Sequence, residues 1–272
     1  MDKEILSLEE AAEVFGVSIK TFIKLLKEEK VPARKIGREW RFSKSALIGW
    51  LSAGDSQIYS SSEGDAREFF DQVAPEWEEI SRNYYDESIK NKLLDLQILR
   101  KSMKVVDLGA GDGYLSRAIA RSVKQVVAVD ISSQMLKELK KKAGDNGIKN
   151  IKVLESDGQD MPVEPGSMDM VCANMYLHHI EEPENAVREM YRVLKPGGVV
   201  FISDFLEHTD NQMKEKMHDL WPGFKLEAIQ DWFHKVGFRD LHPETLPGEL
   251  PNKGQDHMPD ARVFIMTAVK DK

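Results

Sequence analysis

The chain of 272 residues has a single cysteine, Cys172, and no apolar run near the about 18 to 20 residues of a transmembrane helix. One cysteine cannot form a disulfide within the chain, and it cannot supply the several thiolates of a zinc or arsenic centre. The first four residues also lack the basic and apolar segments of a secretory signal. These absences exclude a disulfide scaffold, and we expect a cytoplasmic protein that does not enter a membrane.

Charge is distributed unevenly along the chain, whose net charge at pH 7 is −8. Residues 1–52 hold ten basic and eight acidic residues, a net charge of +2, whereas the remainder holds 28 and 38, a net charge of −10. Within residues 20–44, nine basic residues accompany three acidic ones. A small basic segment on an acidic body predicts that only the N-terminal segment meets a polyanion.

A glycine turn dominates the sequence, in the stretch Val105-Val106-Asp107-Leu108-Gly109-Ala110-Gly111-Asp112-Gly113. The pattern predicts a buried strand, a sharp bend that lets a ligand approach the backbone, and a following helix. A dinucleotide-binding fingerprint would have glycine in place of Tyr114. Its turn would also lack acidic side chains, because it has to bind a pyrophosphate. Asp107 and Asp112 would repel a pyrophosphate, but they suit the ammonium and sulfonium groups of S-adenosylmethionine.

From about Arg67 to the C-terminus, these motifs and those that follow resemble a class I S-adenosylmethionine-dependent methyltransferase. The resemblance is to the small-molecule group that is similar to the quinone-biosynthesis methyltransferases. It implies an α/β fold with a doubly wound, Rossmann-like sheet of seven strands. We expect these strands near residues 103–108, 125–130, 151–154, 168–173, 199–203, 238–242 and 262–269.

The resemblance also implies which residues bind the cofactor, S-adenosyl-L-methionine, at the carboxyl ends of the strands. Asp130 would accept hydrogen bonds from both ribose hydroxyls, although a helix N-cap is the alternative role for this residue. Ile131 and Met135 would pack beside the adenine, and Asp157 would accept from the adenine amino group. The full predicted set is Asp107, Gly109, Ala110, Gly111, Gly113, Asp130, Ile131, Met135, Asp157, Gly158 and Asn174.

A pair of histidines, His178 and His179, ends the loop after the fourth predicted strand, beside the expected methyl group. Methyl transfer from a sulfonium is an in-line displacement, so a base is needed only when the acceptor carries a proton. We predict that these histidines supply that base to a small-molecule acceptor. The alternative is that they have no proton role, since such a pair is common in this loop of the family without a proven one.

Four further polar residues follow the fifth predicted strand: Asp204, His208, His218 and Asp219. They could converge with His178 or His179 on a metal ion. Their spacing fits no established metal motif, so pocket-lining or surface roles are the simpler interpretation and no metal is predicted. Cys172 lies in a predicted buried strand and is interpreted as a core residue.

An aromatic, amphipathic segment over residues 69–80 precedes the first predicted strand. In similar methyltransferases such a segment folds over the cofactor as a lid, and the alternative is a helix packed on the sheet. Residues 247–259, rich in proline and glycine, predict a loop beside the pocket. A DNA base methyltransferase is disfavoured, because Asn174-Met175-Tyr176-Leu177 lacks the prolines of the amino-methylating class and an acidic domain binds DNA poorly.

The N-terminal segment predicts a helix-turn-helix. Ser7-Leu8-Glu9-Glu10 is a capping box that opens one helix, Gly16 ends it, and Ser18 can cap a second helix whose inward side chains include Ile19, Phe22 and Ile23. Residues 33–42 predict a basic hairpin, and a third helix follows over residues 43–51. Together these elements resemble the excisionase-type winged helix-turn-helix.

This resemblance implies DNA binding, with the second helix in the major groove and the hairpin against phosphates. A solvated basic face that binds protein is the alternative. Because one small module offers few base contacts, we expect a homodimer. The predicted DNA-binding residues are Ser18, Lys20, Thr21 and Lys24 in the groove, with Arg34, Lys35, Arg38 and Arg41 on the backbone.

The domain organisation follows from composition. Residues 53–66 are rich in glycine, serine and aspartate and predict a flexible linker between a winged helix-turn-helix at 1–52 and a methyltransferase domain at 67–272. We expect methyl transfer to a small molecule, combined with a regulatory DNA-binding module. The alternative is a transcription regulator whose methyltransferase fold only senses S-adenosylmethionine or a metabolite.

Overall fold

The structure, a computed structural model, describes residues 3–28, 31–37, 39–53, 66–82, 84–209, 217–246 and 262–271. Its contacts divide the chain into two units, Met1–Ser62 and Glu63–Lys272. The predicted linker falls almost wholly on residues 54–65, which lie outside the described ranges. Arg38 of the predicted hairpin and the predicted loop at 247–259 also lie outside them.

The N-terminal unit combines three helices with a three-stranded antiparallel sheet of order β1-β3-β2. Both predicted caps are present, since the Ser7 hydroxyl accepts from the Glu10 N–H and the Ser18 hydroxyl accepts from the Thr21 N–H at 3.1 Å. The elements are β1 (Ile5–Leu6), α1 (Leu8–Val14), α2 (Ile19–Glu28), β2 (Arg34–Ile36), β3 (Glu39–Ser43) and α3 (Lys44–Ala53).

The core of this unit is small and aromatic. Phe22 and Phe42 are fully buried, with ring centroids 5.2 Å apart, beside Leu47. Ile19 and Ile23, which were expected to face inward, are 44% and 36% exposed. Those two predictions are wrong because so short a sheet and a seven-residue α1 cover only the stripe of α2 around Phe22.

The C-terminal unit alternates strands and helices around one sheet. Three short 3-10 helices also occur in this unit, at Ala74–Glu76, Ala120–Ser122 and Leu177–His179. The regular elements are α4 (residues 66–73), α5 (Trp77–Ser81), α6 (Ser88–Asp95), β4 (Lys104–Leu108), α7 (Tyr114–Ile119), β5 (Gln125–Asp130), α8 (Ser133–Asp145), β6 (Ile151–Glu155), β7 (Met168–Asn174), α9 (Pro183–Val193), β8 (Leu194–Phe205), α10 (Leu226–Val236), β9 (Phe238–Thr245) and β10 (Val263–Lys270).

The sheet has seven strands in the order β6-β5-β4-β7-β8-β10-β9. β10 runs in the direction opposite to the other six strands. Val106 and Leu108 of β4 face one apolar cluster while Val105 faces another, so the strand is covered on both faces. The predicted α/β fold is confirmed. Chain order reverses between β4 and β7, which places the ligand crevice at the carboxyl ends of these strands.

One expected boundary differs. β8 begins at Leu194, before the strand that was expected near residues 199–203. The pairing of β7 with β8 is irregular near its start, and Gly197 has a φ of +75° there. Among the described residues, no helix is both long and apolar enough to cross a bilayer.

Candidate active site

The glycine turn joins β4 to α7 as predicted. Gly109, Gly111 and Gly113 have φ values of +67°, +53° and +90°, a region that side chains with a Cβ rarely adopt. A Cβ on Gly109 would lie 2.5 Å from Cδ2 of Tyr176, so the strand end and the β7 loop are in direct contact. The Ala110 N–H donates to the Val129 carbonyl at 2.9 Å, which fixes the turn against β5.

Asp130, at the end of β5, faces this turn. One carboxylate oxygen accepts from the Gly111 N–H at 2.7 Å, and the other accepts from the Ser132 N–H at 2.9 Å. The alternative role as a helix N-cap is taken by Ser132, whose hydroxyl accepts from the Met135 N–H at 3.0 Å. Burial raises the pKa of Asp130 to about 6. Each oxygen keeps further lone pairs for a ligand hydroxyl.

The two other carboxylates of the turn have separate partners. Asp107 is buried, accepts from the Ser116 hydroxyl at 2.6 Å, and has a pKa raised to about 7 by burial. Asp112 lies 2.5 Å from the Lys142 ammonium, which also reaches Glu78 at 2.7 Å. The expectation that Asp112 presents negative charge to the ligand is therefore wrong, because a lysine distant in sequence neutralises it. The charge argument is left to Asp107 and Asp130.

The remaining predicted cofactor residues lie at the ends of β6 and β7 and at the start of α8. Asp157 accepts from the Gln159 N–H at 3.0 Å, and its carbonyl accepts from the Tyr176 hydroxyl at 2.9 Å. Gly158 has a φ of +81°, and a Cβ there would lie 2.5 Å from the same hydroxyl. Asn174 accepts from the Ser203 hydroxyl at 2.8 Å. Ile131 and Met135, partly and fully buried, complete the set.

Helix α4 crosses the carboxyl edge of the sheet. Arg67 pairs with Glu155 at the end of β6 at 2.7 Å, and Asp71 accepts from the Ser132 hydroxyl at 2.6 Å and the Gln134 N–H at 3.1 Å. The Phe70 ring lies 5.1 Å from the His179 ring. These contacts attach the aromatic segment to the predicted site, as a lid would be, while the sequence predicted no role for Asp71.

A second polar cluster surrounds the histidine pair. His178 is 3% exposed, and its Nδ1 lies 2.6 Å from Oδ1 of Asp204. Its Nε2 lies 3.6 Å from Oδ1 of Asp219, and Nδ1 of His179 lies 3.6 Å from the same oxygen. The N–H groups of Leu220 and Trp221 donate to the His178 carbonyl at 2.9 and 3.1 Å, which brings Asp219 to this position.

Charge and burial set the protonation of this cluster. Burial lowers the pKa of His178, but the Asp204 and Asp219 carboxylates outweigh it, so the pKa lies above its ordinary value. Burial and the neighbouring His178 hold the pKa of His179 well below its ordinary value. Burial raises the pKa of Asp219 to about 6. The two adjacent histidines therefore differ in basicity, and His178 is the one oriented by a carboxylate.

Of the four polar residues expected after the fifth strand, Asp204 and Asp219 contact the histidine pair through their carboxylates. The His218 ring stacks on Phe69 at 4.7 Å, and the His208 ring packs on Phe205 at 5.8 Å. Backbone geometry marks the same region, because the non-glycine residues Met175 and His218 have φ values of +50° and +56°. Such strain concentrates at functional sites.

The donor set at the glycine turn fits S-adenosylmethionine. Trp77 lies over the turn, since a Cβ on Gly111 would be 3.3 Å from its indole nitrogen. Lys142 and Arg117 both approach Asp112, at 2.5 and 3.7 Å, so neither is directed to a pyrophosphate at this turn. A carboxylate with free lone pairs beside the glycine turn suits a ribose better than a pyrophosphate.

Comparisons with known proteins agree with this geometry. The Methyltransferase domain family matches residues 106–202, and the Helix-turn-helix domain family matches residues 5–55. The ubiquinone/menaquinone biosynthesis C-methyltransferase UbiE of Shewanella sediminis is 33% identical over 170 residues, which cover 57% of this chain and 67% of that protein. The 2-methyl-6-phytyl-1,4-hydroquinone methyltransferase 1 of Oryza sativa subsp. japonica is 28% identical over 166 residues, 60% of this chain and 49% of that protein.

Solved structures show the same fold. The YcgJ protein of Bacillus subtilis has a TM-score of 0.57 at 19% identity, covering 69% of this chain and all 100% of its own. A methyltransferase from Thermotoga maritima has a TM-score of 0.58 at 18% identity, with coverage of 76% and 100%. The chain spans about half the length of the first curated relatives that it matches. It belongs to the class I S-adenosylmethionine-dependent methyltransferase family, with a helix-turn-helix domain at its N-terminus.

Proposed function

We propose that the C-terminal unit transfers a methyl group from S-adenosylmethionine to a small aromatic acceptor of the hydroquinone class. The observation that carries the proposal is the position of Asp130. Its carboxylate is held by backbone N–H groups at the glycine turn, at the edge where open α/β sheets bind ligands. There it would accept hydrogen bonds from the ribose hydroxyls, with Asp157 next to the adenine.

The acceptor class is supported by the cleft beside the histidine pair. Many of its lining side chains are aromatic or apolar, and its polar groups are two imidazoles, a carboxylate and the hydroxyls of Ser81, Tyr84 and Tyr85. The cleft measures only about 20 Å³, so it would have to widen before a hydroquinone ring could pack on these walls and present an ionisable hydroxyl to His178 or His179. The lining residues are Trp77, Ser81, Tyr84, Tyr85, Met175, His178, His179, Phe205, Met217 and Asp219.

Bound S-adenosylmethionine supplies an electrophilic methyl group, so the chain has to align the acceptor, exclude water and remove a proton. Asp204 accepts from Nδ1–H of His178, which fixes the tautomer that leaves Nε2 free to take a proton from the acceptor hydroxyl. Ionisation of that hydroxyl raises the nucleophilicity of the ring, so that a ring carbon takes the methyl group while the sulfonium leaves as the thioether. Loss of the proton from that carbon then restores the aromatic ring, and the hydroxyl oxygen regains a proton. Trp77, which lies over the glycine turn, would help to exclude water.

Calorimetry and methyl transfer test this proposal. The full chain should bind S-adenosylmethionine and S-adenosylhomocysteine but not NAD, and it should transfer labelled methyl groups to short-chain hydroquinones and not to the corresponding quinones. Failure to bind S-adenosylmethionine contradicts the proposal outright. Binding without transfer to any acceptor would favour the alternative role of a metabolite sensor.

We propose that the N-terminal unit binds DNA and that it does so as a homodimer. The family match and the exposure of the groove and wing residues support DNA binding, since Lys20, Lys24, Arg34 and Lys35 are all exposed. The homodimer rests on the few base contacts that one small module offers. Selection of sites from random DNA, followed by anisotropy titration of the full chain with and without S-adenosylmethionine, tests binding and regulation together. Absence of any selected site would make this unit a protein-binding module.

A further inference from the structure

The histidine cluster holds three possible metal-ligand groups, of which the proposed proton transfer uses only Nε2 of His178. One ligand atom from each of His178, His179 and Asp219 lies within 4.8 Å of the other two. Nε2 of His178 and Nδ1 of His179 are each 3.6 Å from Oδ1 of Asp219. All three groups are buried or nearly so, and they converge from the 3-10 turn after β7 and from the segment that precedes α10.

Asp219 has an unusual environment. It is 3% exposed, yet neither of its carboxylate oxygens has a hydrogen-bond donor among the described residues. A buried carboxylate without a partner is costly, and such groups normally pair or coordinate a cation. Both facing groups are imidazole nitrogens, which are ligands of the same kind of cation.

The other side of His178 has the feature that accompanies imidazole ligands in metal sites. Its Nδ1 is hydrogen-bonded to Asp204 at 2.6 Å, and Asp204 also accepts from the N–H groups of Leu177 and Phe205 at 2.9 and 2.8 Å. A carboxylate in this position fixes the ring and leaves Nε2 unprotonated for coordination. Asp204, which lies in β8, therefore already orients His178 for a metal ion, and β8 would not have to move.

We propose that His178, His179 and Asp219 bind one divalent first-row transition metal ion. Two imidazoles and one carboxylate are a donor set for such ions, and they leave coordination positions open to a ligand from the cleft. Ligand atoms at right angles on an ion about 2.1 Å away lie about 3.0 Å apart. The observed 3.6 Å separations thus need a contraction of a few tenths of an ångström per ligand.

Charge balance also favours a dication. With both histidines neutral, Asp204 and Asp219 leave two negative charges in a buried cluster, which one divalent ion cancels. The alternative, a protonated His178 between two carboxylates, leaves one charge uncompensated and gives Asp219 no hydrogen bond shorter than 3.6 Å. His179 would give up its 3.4 Å contact with the His218 carbonyl on coordination.

The metal-binding inference stands on the cluster alone, and its consequence for the reaction rests on the proposed function. An ion at this position would hold a hydroxyl oxygen of the acceptor and lower the pKa of that hydroxyl. His178 would then be a ligand, and the ion would replace it as the group that favours the ionised acceptor. Added metal should accordingly lower the pH at which methyl transfer reaches half its maximum.

Cobalt binding to the full chain, purified without a polyhistidine tag and dialysed against chelator, tests the proposal. Co²⁺ should give visible d–d absorption that saturates at one ion per chain, and Zn²⁺ should bleach it. Asp219→Asn should abolish the spectrum, and Asp204→Asn should weaken Co²⁺ binding about 10- to 100-fold because it disturbs only the orientation of His178. His234→Gln, on the exposed face of α10, is the matched control and should bind as the parent does.

The outcomes separate this inference from the proposed function. A spectrum that is absent in the parent chain, or unchanged in both Asp219→Asn and His179→Gln, overturns the metal site. S-adenosylmethionine affinity, measured on the same preparations, reports on the fold of each variant and on the proposed function. A chain that binds S-adenosylmethionine but no Co²⁺ retains the proposed function and loses the metal.

Discussion

The two units of this protein carry their candidate functional groups in opposite environments. In the N-terminal unit, Lys20, Lys24, Arg34 and Lys35 are exposed to solvent. In the C-terminal unit, Asp107, His178, Asp204 and Asp219 are 3% exposed or less. Exposed charges are screened, and each contributes a small, additive amount. Buried charges act through specific partners, so the loss of one has a large effect that depends on its neighbours.

The comparison is tested most severely at His178. His178→Asn keeps a donor near Asp204 but removes the titratable Nε2. We expect turnover to fall about 10²- to 10⁴-fold, the usual contribution of an acid–base group, while S-adenosylmethionine affinity is unchanged. Single-turnover methyl transfer and calorimetry on one preparation measure both. Full turnover in His178→Asn and in His179→Ala would remove this pair from the chemistry.

The glycine turn provides the next largest effect, and it has an internal control. Gly109 and Gly147 have similar φ values, +67° and +66°, but a Cβ on Gly109 meets Tyr176 whereas one on Gly147 meets nothing within 4 Å. Gly147→Ala should cost about 1–2 kcal/mol for the backbone alone. Gly109→Ala should lower the free energy of unfolding by about 1–3 kcal/mol more, because its Cβ overpacks the contact with Tyr176. Urea denaturation of both variants measures the difference, and equal free energies of unfolding would show that the contact with Tyr176 is soft.

Asp130 tests the cofactor assignment. Asp130→Asn removes the charge from a hydrogen-bonded acceptor, and we expect S-adenosylmethionine affinity to fall by about 1.5–3 kcal/mol. Asp169→Asn is the matched control, because Asp169 pairs with Lys195 at 2.6 Å near the start of β7, away from the carboxyl edge. Isothermal titration compares the two. Equal affinities in the parent and Asp130→Asn would contradict the ribose assignment.

Acid should weaken cofactor binding through the same residue. The pKa of Asp130 is raised to about 6, and ribose hydroxyls bind its ionised form. Affinity should therefore fall up to about tenfold for each pH unit below 6, as the Asp130 carboxylate takes up a proton. Asp130→Asn should give a lower affinity with a flatter profile between pH 5 and 7. A parent profile that is flat over this range would mean that the carboxylate does not contact the ligand.

The smallest effects are expected in the exposed unit. Arg34→Ala and Lys35→Ala should each reduce the slope of log affinity against log salt by about one phosphate contact. Arg41→Ala should reduce it less, because the Arg41 guanidinium is already bound to the Glu39 carboxylate and donates to the Trp40 carbonyl at 3.0 Å. Anisotropy titrations at several salt concentrations measure the slopes. A large, non-additive loss from one of these substitutions would break the contrast between the units.

The sequence alone determined the features that depend on neighbouring residues. An apolar run marked the strand before the glycine turn, because a strand covered on both faces must be apolar along its length. The resemblance to the methyltransferases supplied the seven-stranded sheet around it. The glycine spacing marked the turn, because φ values near +60° exclude most other residues. Ser7 and Ser18 marked the starts of α1 and α2, because a cap bonds to an N–H three residues away. Net charge separated a basic N-terminal segment from an acidic remainder.

Only the tertiary structure decided how the buried charges are paired. Asp112 meets Lys142 thirty residues away, His178 meets Asp204 across 26 residues, and Asp71 meets Ser132 across 61. These partners come from different strand ends and helices. A local sequence pattern does not show which of these elements meet at the same edge of the sheet. From the sequence, Asp112 was therefore expected to face the ligand, whereas in the fold it forms an ion pair with Lys142. It left Asp219 as one of four polar residues after a strand, although packing places this carboxylate against both histidines without a hydrogen-bond donor among the described residues.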